Sequence, residues 1–242
     1  MILSRVYPGD SLDIDLDTPD ARAQLAERYR PPSPEWLRLN LIASVSGSAV
    51  GSDGTSETLT NPADRKLLGV IRSLADVVLV GAASVRAEGY FVPKRAALAV
   101  VTTSGDLSGH RITSTGDRGA LLVLCPAGSV ATARSTIGDA AATIIPVADT
   151  DGILSATEIV AALRTAGYAS IVSEGGPTLA SHLLAGDVVD ELCLSTSPTI
   201  NGGAVPVFGT EAFTGHPLEL SQLMVDDRGG TYARWLVSAT AG

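Results

Sequence analysis

Apolar residues along this chain fall into two kinds of run. Leu37 to Ser44, Val77 to Gly81, Leu98 to Thr102, Leu121 to Cys125, Thr143 to Val147, Ser170 to Ser173 and Glu191 to Thr196 are short and mostly rich in Val, Ile and Leu. Strands buried on both faces read this way, because helices cover both sides of a parallel sheet. Between them lie stretches with helical spacing. Asn61-Pro62-Ala63-Asp64 offers an N-cap, a proline at the first helical position and an early acid, and Leu67, Ile71 and Leu74 then form one apolar stripe. Ser155-Ala156-Thr157-Glu158 is a capping box, with Gly167 placed to end that helix. This alternation predicts an α/β fold with a mostly parallel central sheet flanked by helices.

Both ends depart from the pattern. Leu223 to Asp227, the pair Gly229-Gly230 and Thr231 to Val237 predict a closing β-hairpin. Residues 1–35 are polar and Pro-rich and end in Arg30-Pro31-Pro32-Ser33-Pro34, which cannot continue a helix. They read as an extended lead-in, and residues 36–242 as one domain, within the reach of a single α/β core.

Composition then narrows the function. With 45% hydrophobic and 18% charged residues the chain can bury a substantial core. Seventeen basic against twenty-six acidic side chains give a net charge of −9, which works against nucleic-acid or anionic-membrane binding by long-range attraction. Any anion site must therefore be local. Cys125 and Cys193 each sit inside an apolar run and read as buried free thiols. Three scattered histidines and no paired cysteines argue against a zinc site. The serine-hydrolase elbow, the triphosphatase P-loop and the G-x-G-x-x-G dinucleotide fingerprint are all missing. Met1 to Asp10 has no basic region leading into a long apolar stretch, and no apolar run approaches the roughly 20 residues of a membrane span, so a cytoplasmic protein is expected.

Candidate chemistry concentrates at two strand-to-helix junctions. Ile171-Val172-Ser173-Glu174-Gly175-Gly176-Pro177-Thr178 runs from a buried strand through two glycines into a helix opened by proline. Free N–H groups at such a helix start attract anions and glycines let a phosphate come close, although a tight connection alone would also favour glycine. Glu174 at the mouth of the strand is costly unless it serves a ligand or finds a partner. Val80 to Gly89 repeats the junction with a short helix; Ser84 there either donates to a phosphate or packs the helix onto the sheet. On the helix starting at Pro62, Arg65, Gly69 and Arg72 share one face, either an anchor for a phosphorylated substrate or a solvated surface.

Taken in order, Asn40 to Gly47, Gly54-Thr55-Ser56, Ile71 to Gly81, Ser173 to Leu179 and Val189-Asp190-Glu191-Leu192 resemble the reductase domain of the bacterial riboflavin deaminase-reductase, over residues 36–238. That resemblance implies a dihydrofolate-reductase-like fold, a homodimer, and the use of NADPH to reduce 5-amino-6-(5-phosphoribosylamino)uracil to its ribitylamino product. By position, Thr58, Ser84, Glu88 and the stretch Gly176, Pro177, Thr178, Leu179, Ala180, Ser181 and His182 would face NADPH, with Thr102 and Ser104 toward its adenosine end. Ser56, Arg72 and Glu174 would face the substrate, Arg72 on the 5-phosphate and Glu174, the catalytic candidate, on the amine or ribose. No stretch resembles the zinc deaminase half of the bifunctional enzyme. The chain departs from the family at Ser44-Val45-Ser46-Gly47, where S-x-D-G is usual, and at Thr58, usually Trp. It also has Ala87-Glu88-Gly89-Tyr90 in place of A-D-x-P, and only Lys94 or Arg95 beyond it to replace a family arginine. These departures leave open a dihydrofolate, pterin or other small-heterocycle reductase, or an NADPH-binding module that has lost catalysis.

Overall fold

The structure, a computed structural model, describes residues 1–9, 12–113, 118–202 and 205–238. In chain order the elements are β1 (Ile2–Tyr7), β2 (Leu12–Asp15), α1 (Ala21–Tyr29), β3 (Trp36–Ser44), α2 (Pro62–Ser73), β4 (Val77–Gly81), α3 (Ala82–Ala87) and β5 (Tyr90–Phe91). There follow β6 (Ala97–Val101), β7 (Ile112–Thr113), β8 (Leu121–Pro126), α4 (Val130–Thr136), β9 (Ala142–Val147), β10 (Asp149–Thr150), β11 (Ile153–Leu154) and α5 (Ala156–Thr165). The last are β12 (Ser170–Ser173), α6 (Pro177–Ala185), β13 (Glu191–Ser197), β14 (Leu218–Asp226) and β15 (Thr231–Val237). Among the described residues, eleven strands make one sheet in the order β2-β1-β14-β15-β13-β3-β12-β4-β6-β8-β9. From β13 to β9 every pairing is parallel. From β13 back to β2 every pairing is antiparallel. The expected C-terminal hairpin is present, with its first strand starting at Leu218 rather than Leu223.

The unbroken apolar runs follow from this layering. Along β4, Val77 and Leu79 point into the core beneath α5 and α6, while Val78 and Val80 point into the core shared with α1 to α4. Each such side chain contributes about 1.5–3 kcal/mol on full burial. The predicted helix starts hold as well. Asn61 accepts from the N–H groups of Ala63 and Asp64 to cap α2, and Ser155 accepts from Glu158 N to cap α5, each cap contributing about 1 kcal/mol.

Residues 1–35 are not an extended lead-in: β1 and β2 extend the sheet through β14, and α1 packs beside α2. Their apolar positions are sparse but well placed, Leu3, Ile14, Leu16, Leu25 and Tyr29 all being buried. The Pro-rich segment ends α1 without dictating what precedes it. Instead α1 is anchored from the sheet: Arg38 donates to Tyr29 O and Arg234 to Arg28 O, covering carbonyls at its last turn. Residues 239–242, the end of the expected domain, lie outside the described residues.

Candidate active site

Because β4 and β12 are parallel neighbours, the two glycine-bearing junctions emerge side by side at the C-terminal ends of their strands. They open into a cleft of about 440 Å³ that is also bordered by β3, α2, β5 and the loop after β3. The junctions are joined directly: Ser84, in the first turn of α3, accepts from Gly176 N at 3.0 Å and keeps its own hydroxyl proton to donate. A Cβ at Gly175 would lie 2.6 Å from Leu179 Cδ2, so this glycine is required by packing of the turn on α6. A Cβ at Gly81 would meet nothing within 4 Å.

Glu174 has found a partner. Arg72 donates from Nε to one carboxylate oxygen at 2.7 Å and from Nη2 to the other at 2.5 Å, a bidentate pair on the cleft wall. Burial alone would lower the Arg72 pKa, but the Glu174 carboxylate raises it above its ordinary value, so the guanidinium stays charged. The carboxylate is 7% exposed and the guanidinium side chain 30%. Ser56 is likewise held, its N–H and Oγ both donating to Glu88 Oε1 at 3.0 and 2.8 Å. Two residues expected on the substrate side, Arg72 and Glu174, thus form one unit, while Ser56 and Glu88, expected on opposite ligands, form another.

The remaining candidates divide. Gly176, Pro177, Thr178 and Leu179 border the cleft together with Ser84 and Glu88. Ala180 and Ser181 are buried on the inner side of α6, and the His182 ring pairs with Leu154 O at 2.7 Å. Thr58 donates to Asp53 within the loop after β3, Thr102 is buried just past β6, and Ser104 accepts from Asp106 N; none of these borders the cleft. Lys94 and Arg95 are exposed away from it. Arg65 does reach the rim, where it pairs with Glu57. Ser46 shares a hydrogen bond with Ser44 Oγ at 2.9 Å and exchanges two with the backbone of Asn201, so it ties down the loop after β13.

Among the cleft residues that the sequence did not single out are Asn40, Tyr90 and Phe91. Asn40 lies on β3 between Leu39 and Leu41, and a lone amide inside an apolar run was a usable signal. Tyr90 and Phe91 gave none, because β5 exists only through its pairing with β7. Both cysteines are buried free thiols, as expected, and burial pushes each thiol pKa up. Among the described residues no group of His, Cys, Asp and Glu could hold a metal ion, and no helix is long and apolar enough to cross a membrane.

The family model of the RibD C-terminal domain matches residues 35–231. The chain belongs to this family. It is the riboflavin-biosynthesis pyrimidine-reductase-like family that the ordered motifs resemble, and the dihydrofolate-reductase-like α/β fold agrees with it. A pyrimidine reductase-like protein of Corynebacterium diphtheriae superposes with a TM-score of 0.67 at 22% identity, covering 90% of this chain and 98% of that one. The deaminase/reductase of Thermotoga maritima superposes with a TM-score of 0.63 at 17% identity over 88% of this chain, which spans 58% of that longer protein. Riboflavin biosynthesis reductase Rib7 of Saccharomyces cerevisiae gives 0.60 at 16% identity, over 89% of this chain and 98% of that one. No curated protein matches the chain significantly.

Proposed function

We propose that this member of the RibD C-terminal domain family is an NADPH-dependent reductase of 5-amino-6-(5-phosphoribosylamino)uracil, acting in the cytoplasm as a homodimer. The observation that carries the reading is the pair of adjacent strand-to-helix junctions opening into one cleft beside the Arg72–Glu174 pair. The residues present fit a dinucleotide. The first N–H groups of α6, the open space at Gly81, and the hydroxyl protons of Ser84 and Thr178 offer donors to a phosphate, and the acid in the α6 junction turn, Glu174, is paired with Arg72. NADPH, when bound, supplies the hydride that the first carbon of the ribose accepts. The chain's own residues bind and orient. Glu174 holds the Arg72 fork fixed, leaving its Nη1 edge for a substrate phosphate, and Glu88 holds Ser56 on the wall of the same cleft. Mixing the protein with NADPH and the deaminated pyrimidine should deplete the reduced-nicotinamide absorbance. Tight NADPH binding without turnover would redirect the reading to another heterocycle.

One observation favours a second reading, a dihydrofolate or pterin reductase. Both cations on the cleft wall, Arg65 and Arg72, are already neutralised by Glu57 and Glu174, and Lys94 and Arg95 lie elsewhere, which suits a substrate lacking a phosphate. Growth of cells that lack their own folate reductase, when supplied with this chain, separates the two. A catalytically degenerate module is the outcome if neither substrate turns over and Ser46→Asp restores activity.

A further inference from the structure

We infer that Tyr90 is a specificity-determining residue of this cleft, its phenol O–H donating to an uncharged acceptor, a ring carbonyl or ring nitrogen, of the bound heterocycle. The inference rests on the reading above only in taking the ligand to be a heterocycle. Most polar side chains on the wall spend their hydrogen bonds on one another. Glu174 is committed to Arg72, Glu57 to Arg65, Glu88 to Ser56 and Asp64 to Thr60, while Ser84 accepts from Gly176 N and its proton is the one assigned above to a cofactor phosphate. Among the described residues, Asn40 and Thr178 make no side-chain hydrogen bond, and Tyr90 makes only one, to Glu174 O at 3.5 Å. That length is the outer limit of a hydrogen bond.

Of these three, Tyr90 is the one whose position and direction are fixed. Thr178 is exposed at the mouth, and the less buried Asn40 can turn either its donor or its acceptor inward. Tyr90 is 9% exposed, and its backbone is clamped into β5 by its N–H to Arg111 O at 3.2 Å and by the next bond, from Val92 N to Thr113 O at 3.1 Å. A buried phenol normally finds an acceptor at ordinary hydrogen-bond length, whereas this one has only Glu174 O at 3.5 Å on a residue that lines the cleft. The charged groups around it are the Glu174 and Glu88 carboxylates and the Arg72 guanidinium. Burial, then the two carboxylates, push the phenol pKa up against the opposing effect of Arg72, so the hydroxyl remains protonated and acts as a donor. With Glu174 paired to Arg72, the Glu88 carboxylate leaves the surroundings of the phenol net negative and disfavours an anionic acceptor, so a neutral oxygen or nitrogen is the matching group. Phe91, next on β5, is exposed at the rim and adds apolar aromatic surface suited to a flat ring.

The test is Tyr90→Phe in the full chain, which keeps the ring and deletes only the hydroxyl. With saturating NADPH, the KM for 5-amino-6-(5-phosphoribosylamino)uracil should rise about three- to ten-fold, the range expected for one neutral hydrogen bond, while kcat and the KM for NADPH stay within two-fold, roughly. An unchanged pyrimidine KM overturns the inference, because packing alone survives this substitution. If the unmodified chain reduces dihydrofolate and not the pyrimidine, the function proposed above fails, and the same KM comparison with dihydrofolate decides this inference separately. If neither is reduced, calorimetric titration of both proteins with the ribitylamino product in the presence of NADPH decides it. Weaker binding to Y90F supports the role; equal affinity, or binding to neither protein, overturns it. A Y90F protein with a lowered melting temperature is covered by the unmodified chain, which should bind the 2-thio or 4-thio form of the product more weakly than the oxo form. Equal binding of all three overturns the inference.

Discussion

Of the arginine–glutamate pairs among the described residues, the units around Glu191 and Glu174 differ in stoichiometry and in what surrounds them. Around Glu191, which is completely buried, Arg38 and Arg234 each donate to the carboxylate, and Trp36 Nε1 adds a third donor at 2.8 Å. The same two arginines then reach the last carbonyls of α1, so the unit is closed on all sides. Around Glu174 there is a single arginine with one edge of its fork uncommitted, at the wall of a cleft. A sealed unit of two cations and one anion fastens a helix to a sheet. An open one-to-one pair presents a fixed, nearly neutral fork to whatever enters. The residue types are alike; closure of the hydrogen bonding separates a structural role from one in binding.

The largest effect that would break this contrast comes from the sealed unit. Glu191→Gln should destabilise the protein by about 3–5 kcal/mol, since it leaves two buried guanidinium groups with too little counter-charge, and urea unfolding would measure it. A loss as small as that of a surface substitution would mean the unit is not sealed. Next comes Glu174→Gln. We expect kcat/KM for NADPH oxidation with the pyrimidine to fall by about 10- to 100-fold, the worth of a charge-assisted contact, with a smaller loss of stability than in E191Q. A reversal of that order in the two melting curves would erase the distinction.

Acid sharpens the contrast further. Burial alone would raise the Glu191 pKa, but Arg38 and Arg234 hold it below the ordinary value; Asp226 is also lowered, Tyr232 O–H and nearby N–H groups outweighing its burial. Groups depressed in the folded state contribute stability that is present above the unfolded carboxylate pKa of about 4 and is lost as pH falls through their lower folded values. The urea midpoint should therefore hold level from about pH 7 to 5 and drop steeply below about pH 4, with a shallower drop in E191Q. The smallest expected effect is that of Tyr232→Phe. It removes a donor to Asp226 at 2.6 Å and should cost about 1 kcal/mol in urea unfolding without changing turnover, since the group lies outside the cleft.

Much of the frame was legible along the chain. Val77 to Val80 must be a strand covered on both faces, Asn61-Pro62 must begin a helix, and two strands leading through glycine into helices must place backbone N–H groups at strand ends. Those are local facts, set by side-chain volume, capping geometry and backbone freedom within a few residues. The elements of residues 1–35 were not legible, because β1 becomes a strand by pairing with β14, more than two hundred residues away, and a short polar strand has no signature of its own. The pairing of Arg72 with Glu174, the capture of Ser56 by Glu88 and the turning of Tyr90 into the cleft were beyond reach for the same reason. The sequence determined that this protein builds a parallel sheet with two anion-friendly junctions. Only the tertiary structure decided which charges cancel one another and which hydrogen-bonding groups remain for a ligand, because that depends on contacts between segments whose order in the chain does not predict their approach.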